Sequence, residues 1–165
     1  MIRFKILLVV FGLFLAKFSF AQNEKSATPN VITKPIFIKG TWQNLLDTAQ
    51  AKKKIILVQC TAEWCLPCKQ MEKFTFTDVA FAQYAACNLL CYKLDASGFD
   101  DINLLNEFKV EKYPTILFIN IKGKEIKRLV GFQSAKNLIT ESEKILHPKK
   151  YILPPKNLRP KSVKK

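Results

Sequence analysis

Two cysteines separated by two residues, in Trp64-Cys65-Leu66-Pro67-Cys68-Lys69, are the residues of this chain best placed to do chemistry. They follow a short apolar run, Ile55 to Cys60, broken only by Gln59, and they open a segment with helical character from Trp64 to Phe74. Two thiols in the first turn of a helix can close a small disulfide ring. Cys65 then sits at the positive end of the helix, where backbone N–H groups lack intrahelical partners. That setting favours the thiolate. A thiol of pKa ~8.5 is only about 3% ionised at pH 7, and half ionisation takes roughly 2 kcal/mol of preferential thiolate stabilisation. A helix terminus with local hydrogen bonds supplies energy of that order. Cys68 lies one turn further in, is expected to be shielded, and would resolve a mixed disulfide formed by Cys65. Pro67 has no N–H and constrains the turn between the sulfurs.

A second element, Tyr113-Pro114-Thr115, stands just before another apolar run. An X-Pro bond entering a strand at the edge of a site can be held cis. The Tyr113 backbone would then face the sulfurs and pair with an extended substrate strand. Trp64 and Tyr113, beside the cysteine pair and the proline, are expected on a substrate-facing rim with Pro114. Glu63 is either a solvated charge or a proton relay for Cys68.

The elements that must position these residues alternate. Ile36–Lys39 is a short β-prone run, and Thr41 caps a helix with Trp42, Leu45, Leu46 and Ala49 on one face. Ile55–Cys60 and Leu89–Leu94 suit strands buried on both faces. Asp78 caps a helix through Tyr84, and Asp100 or Asp101 starts another with Ile102, Leu105 and Phe108 inward. Thr115–Ile121, the turn Lys122-Gly123-Lys124 and Glu125–Val130 read as a hairpin. Ser134 caps a last helix with Leu138, Ile139, Ile145 and Leu146 inward. The expected fold class is α/β, a mixed central sheet flanked by helices, with parallel pairing between the alternating strands and an antiparallel edge from the hairpin.

These residues resemble the thioredoxin superfamily over about Ile36 to Leu146. The matching motifs are Glu63 to Lys69, Tyr113-Pro114-Thr115, Gly123 in the turn and Gly131 before the last helix. More narrowly, Cys68-Lys69-Gln70-Met71-Glu72-Lys73-Phe74-Thr75-Phe76-Thr77-Asp78 is similar to the C-terminal periplasmic domain of DsbD-type thiol:disulfide interchange proteins. The resemblance implies a thioredoxin fold and dithiol–disulfide exchange, with Cys65 as the exposed nucleophile and Pro114 as the cis proline. It implies no cofactor and no metal. Its partners would be protein thiols and disulfides and a membrane or periplasmic electron donor. Two departures stand out. Gln59 occupies the place where thioredoxins usually carry a buried acid, and Leu66-Pro67 replaces Gly-Pro between the cysteines.

The ends of the 165-residue chain read differently. Arg3 and Lys5, the apolar run Ile6–Ala16 and the small residues Ser19 and Ala21 have the pattern of a signal peptide over residues 1–21, which implies export to the periplasm. The run is shorter than the ~20 residues of a membrane-spanning helix; an uncleaved anchor is the minority reading. Residues 22–34 form a polar linker, 35–147 the folded domain and 148–165 a basic tail with four prolines and seven basic residues. The formal charge of +14 is therefore largely a property of the ends. An exported chain of this kind argues against nucleic acid as a partner and allows weak contact of the tail with anionic surfaces. A monomer is expected. His147, the single histidine, rules out a multi-histidine metal site.

Cys65, Cys68, Cys87 and Cys91 imitate a four-cysteine zinc ribbon, but gathering them would disrupt a helix and a strand. Cys60, Cys87 and Cys91 are read as small apolar residues, with a Cys60–Cys91 contact across neighbouring strands as the alternative. Two other functions fit the same residues: an isomerase or chaperone-like binder of unfolded chains, and an interaction module whose disulfide is structural.

Overall fold

The structure is a computed structural model, and it describes residues 37–151. The leader at 1–21, the linker at 22–34 and the tail beyond Tyr151 lie outside the described residues. Helix α1 (Trp42–Lys52) is capped by Thr41, whose Oγ1 accepts from Asn44 N–H. Lys53 then takes a left-handed conformation (φ 53°) and returns its N–H to Ala49 and Gln50. The chain enters β1 (Ile55–Thr61), buried after its first residue. Helix α2 (Leu66–Gln70) passes into a π-helical segment (Met71–Thr75), closed by Phe76 N–H on Met71 O. Next come α3 (Val79–Asn88), β2 (Leu89–Asp95), α4 (Phe99–Glu107), β3 (Thr115–Ile119), β4 (Glu125–Val130), α5 (Ala135–Leu146) and the short α6 (Pro148–Tyr151).

The sheet order is β2-β1-β3-β4. β1 pairs parallel with β2, Ile55 against Leu89 through Thr61 against Asp95. β3 pairs antiparallel with both β1 and β4. The expected parallel pairing of all the alternating strands therefore holds for β1 and β2 only. Residues 108–114 carry the chain back towards the dithiol end after α4, so β3 enters beside Cys60 and runs the other way.

Strand alternation splits the core into two faces. Ile56, Val58, Cys60, Leu90, Tyr92, Leu94, Leu117 and Ile119 pack under α1 and α4 through Leu45, Ala49 and Leu105. Leu57, Leu89, Cys91, Ile116 and Phe118 pack under Met71, Phe76, Phe81 and Leu138 from the π segment, its following turn, α3 and α5. Cys60 and Cys91 are both buried free thiols, but they belong to opposite faces. The alternative of a contact between them is overturned by the register, in which Cys60 faces Leu94 and Cys91 faces Leu57.

Several boundaries moved for local reasons. The β-prone run at Ile36–Lys39 contributes one parallel bridge, Phe37 to Cys91, with Ile38 N–H on Cys91 O. Helix α3 is capped by Asp78 but continues to Asn88, where the Asn88 side chain donates to Tyr84 O. Helix α4 starts at Phe99, because the Asp101 carboxylate is engaged by Asp95 N–H (2.7 Å) and is not a cap. β3 stops at Ile119, since Asn120 Oδ1 accepts from Lys122 and Lys124 N–H and folds the turn early. Gly123 occupies the turn at φ 79°. The stretch assigned to the tail begins as α6, so its first residues are helical.

Candidate active site

Cys65 is the N-cap of α2, placed there because Ala62-Glu63-Trp64 turns the chain at the end of β1. Its Sγ accepts the Cys68 N–H (3.2 Å), and the two sulfurs are joined in a disulfide across a Cα–Cα distance of 5.3 Å. The helix start thus directs a backbone N–H at the first sulfur, the interaction that favours its thiolate once reduced. Cys68 is 1% exposed and Cys65 only 6%. The expectation of an openly exposed Cys65 is corrected. Ala62, Ala96 and Tyr113 pack against the pair.

The rim around the pair is apolar. Trp64 is 71% exposed and Leu66 67%. The Tyr113–Pro114 peptide bond is cis, and Tyr113 packs against the cysteine pair on one side and the α1/α4 core on the other. Glu63 donates its backbone N–H to Ser97 Oγ (2.8 Å) while its side chain stands exposed. Ser97 N–H is in turn held by Asp95 Oδ1 (2.9 Å), so the loop after β2 braces the loop before α2.

Sequence reasoning missed one side of this rim. Gly131 N–H donates to Pro114 O (2.8 Å), and Gln133 O accepts from Thr75 Oγ1 (2.7 Å). The Val130–Gln133 segment is thereby tied to both the proline and the π segment. Val130, Phe132 and Phe74 are all exposed there. Gly131 at φ 88° was the one signal available, since that conformation suits glycine.

Gln59 is fully buried on the sheet face that also holds Leu57, and neither amide atom has a hydrogen-bond partner. Its register neighbour Lys93 reaches outward to Glu72 (2.5 Å). Glu72, Phe76 and Asp78, from the stretch with the narrower resemblance, thus have separate structural duties: an ion pair to β2, a buried ring against Phe37 and Phe81, and the α3 cap. Burial pushes the Cys60 and Cys91 thiols up to about 12, against the opposing pull of the Arg128 charge on Cys60 and of the Lys54 charge on Cys91. Cys87 is exposed on α3 and Cys91 is buried in β2.

A mixed four-stranded sheet with helices on both faces, a disulfide at a helix start and a proline loop facing it together define a thioredoxin-fold protein. The chain belongs to the family of thioredoxin-like domains, whose model matches residues 42–146. Among relatives, a thiol:disulfide interchange protein DsbD of Tatumella citrea is 34% identical over 133 residues, covering 75% of this chain and 23% of its own length. The chain thus spans about a quarter of that relative. Two solved structures share the fold. One is the DsbH oxidoreductase, with TM-score 0.61 and 17% identity over 79% of this chain and 97% of that one. The other is the oxidised C-terminal domain of Neisseria meningitidis DsbD, with TM-score 0.52 and 23% identity over 62% and 90%.

Proposed function

We propose that this protein is an exported thiol–disulfide oxidoreductase that reduces protein disulfides through Cys65 and Cys68. The observation that carries the reading is the Cys65–Cys68 disulfide at the α2 N-terminus, with the Cys68 N–H on Cys65 Sγ. In the reduced enzyme the Cys65 thiolate attacks a substrate disulfide, forming a mixed disulfide and releasing one substrate sulfur as a thiol. The Cys68 thiolate then attacks Cys65 Sγ and releases the second. Two electrons pass to the substrate, and the enzyme is left as the Cys65–Cys68 disulfide. A membrane or periplasmic dithiol donor returns the electrons by the same steps in reverse.

Trp64, Tyr113 and Pro114 hold the substrate chain, with the Tyr113 backbone beside the sulfurs. Glu63 is the carboxylate nearest in sequence to the pair, and an exposed group of that kind can exchange the Cys68 proton only through solvent. Export rests on the residue pattern at 1–21. The reducing direction rests on Pro67 and on the likeness to DsbD.

The test is the Cys65–Cys68 reduction potential, equilibrated against a glutathione series. A value well below the glutathione couple supports a reductase. A value near or above it reverses the direction to oxidase or isomerase. A pair that never exchanges overturns the redox reading. The exposed apolar rim favours a second reading, a binder of unfolded chains. It requires binding that survives Cys65→Ser and Cys68→Ser together.

A further inference from the structure

The pole opposite the dithiol takes no part in exchange, yet it gathers positive charge. β1 begins there at Ile55 and needs seven residues, about 20 Å, to reach the dithiol end. The β3–β4 turn lies at the same pole, because Ile119 pairs with Ile56. α5 descends to it as well: Lys127 in β4 meets Glu141 midway along the helix, which then runs on to Leu146 and α6. Lys52, Lys53, Lys122, Lys124 and Lys149 are exposed at this pole, and Lys54 is half-buried. Among the described residues none of the six is paired with a carboxylate. Glu125 and Glu143, the nearest acids in sequence to Lys124 and Lys149, face Arg128 and Tyr84.

Two apolar features accompany this charge. Ile121 is exposed in the turn, directly before Lys122. A cavity of about 240 Å³ opens between the ends of α1 and α3, with Ile38, Ala85, Leu89 and Leu90 in its wall and Lys52 and Lys54 also lining it. Lys54 Nζ is turned to Ala86 O (3.0 Å). A cationic surface with an exposed isoleucine and an apolar recess matches an amphiphile whose head is anionic and whose body is apolar.

We infer that this pole docks on the surface of an anionic phospholipid bilayer, with the dithiol turned to the aqueous side. The lysines meet the headgroups, Ile121 enters the headgroup boundary, and the active site stands about 20 Å away, open to soluble partners.

The experiment is co-sedimentation of the full chain with phosphatidylcholine vesicles, with and without phosphatidylglycerol, at low and high salt. The phosphatidylcholine arm subtracts the contribution of the apolar run Ile6–Ala16. Phosphatidylglycerol is expected to raise binding, and salt to lower the increment. Each lysine near such a surface contributes roughly fivefold, so Lys52→Gln, Lys122→Gln and Lys124→Gln together should cut the increment about 100-fold. Lys73→Gln, Lys112→Gln and Lys136→Gln, at the dithiol end, should leave most of it. Bound protein should still exchange its disulfide with a soluble dithiol. Equal loss in both triple variants, no dependence on phosphatidylglycerol, or an increment lost only on neutralising Lys156, Arg159, Lys161, Lys164 and Lys165 would each overturn the inference. So would polyglutamate binding as tight as vesicle binding, or a dithiol closed off on the vesicle.

Discussion

At the scale of single residues, Cys65 and Cys68 differ in what surrounds them more than in exposure. Cys65 is the helix cap and has a backbone N–H on its sulfur; Cys68 lies inside the helix and supplies that N–H. Cys65→Ser should abolish disulfide exchange, whereas Cys68→Ser should accumulate a mixed disulfide with substrate, visible as a reductant-sensitive adduct by mass spectrometry. Trp64 is mostly solvent-facing, so Trp64→Ala should raise KM for protein substrates while leaving the melting temperature nearly unchanged. Gln59 behaves oppositely. Its two unpartnered amide atoms sit in an apolar core, so Gln59→Met should raise stability by about 1 kcal/mol in denaturant unfolding. A loss of stability there would mean that the amide has a partner in solution. The cysteine pair, Trp64 and the proline were legible from residue type and spacing. Val130 and Phe132 were not, because their place on the rim comes from the Gly131–Pro114 hydrogen bond, between residues seventeen apart in sequence.

At the scale of elements, caps and turns did most of the positioning. Asp78 and Ser134 were readable as caps because each carries a short oxygen side chain just before an apolar periodic run, and both accept the expected N–H. Asp78→Ala should cost about 1 kcal/mol, measured by thermal unfolding, since α3 covers one sheet face through Phe81 and Ala85. Asp101 looked equally suited as a cap and is used elsewhere, because Asp95 N–H at the end of β2 competes for its carboxylate. In α5, Glu141 is held below the usual carboxylate range by hydrogen bonds from Lys127 and Lys144. A carboxyl with a lowered folded pKa stabilises above its unfolded pKa, near 4.5, and loses that contribution as pH falls through the folded value. The melting temperature of Glu141→Gln should therefore converge on that of the parent in acid and fall below it at neutral pH.

At the scale of the whole molecule, the five cysteines divide into a disulfide, one exposed thiol and two buried ones. The folded, oxidised protein should react with iodoacetamide at Cys87 alone, and the unfolded oxidised protein at Cys60, Cys87 and Cys91, as counted by mass spectrometry. The buried thiols have raised folded pKa values of about 12, against an ordinary value near 9. Their unfolded forms ionise first as pH rises, so stability should decline from about pH 9 towards pH 12. Cys60→Ala with Cys91→Ala should flatten that decline.

Order of elements, the two-face core and the dithiol at a helix start are all encoded locally, by hydrophobic period, cap residues and turn residues. They were determined by the sequence alone. The direction of β3, the opposite faces taken by Cys60 and Cys91, the closing of Ala62, Ala96 and Tyr113 over Cys65, and the gathering of six lysines at one pole were decided only by the tertiary structure. Each of these depends on strand register or on packing between residues far apart in the chain. A side chain's face follows from its pleat, but its neighbour follows from which strand lies beside it, and no local pattern carries that information.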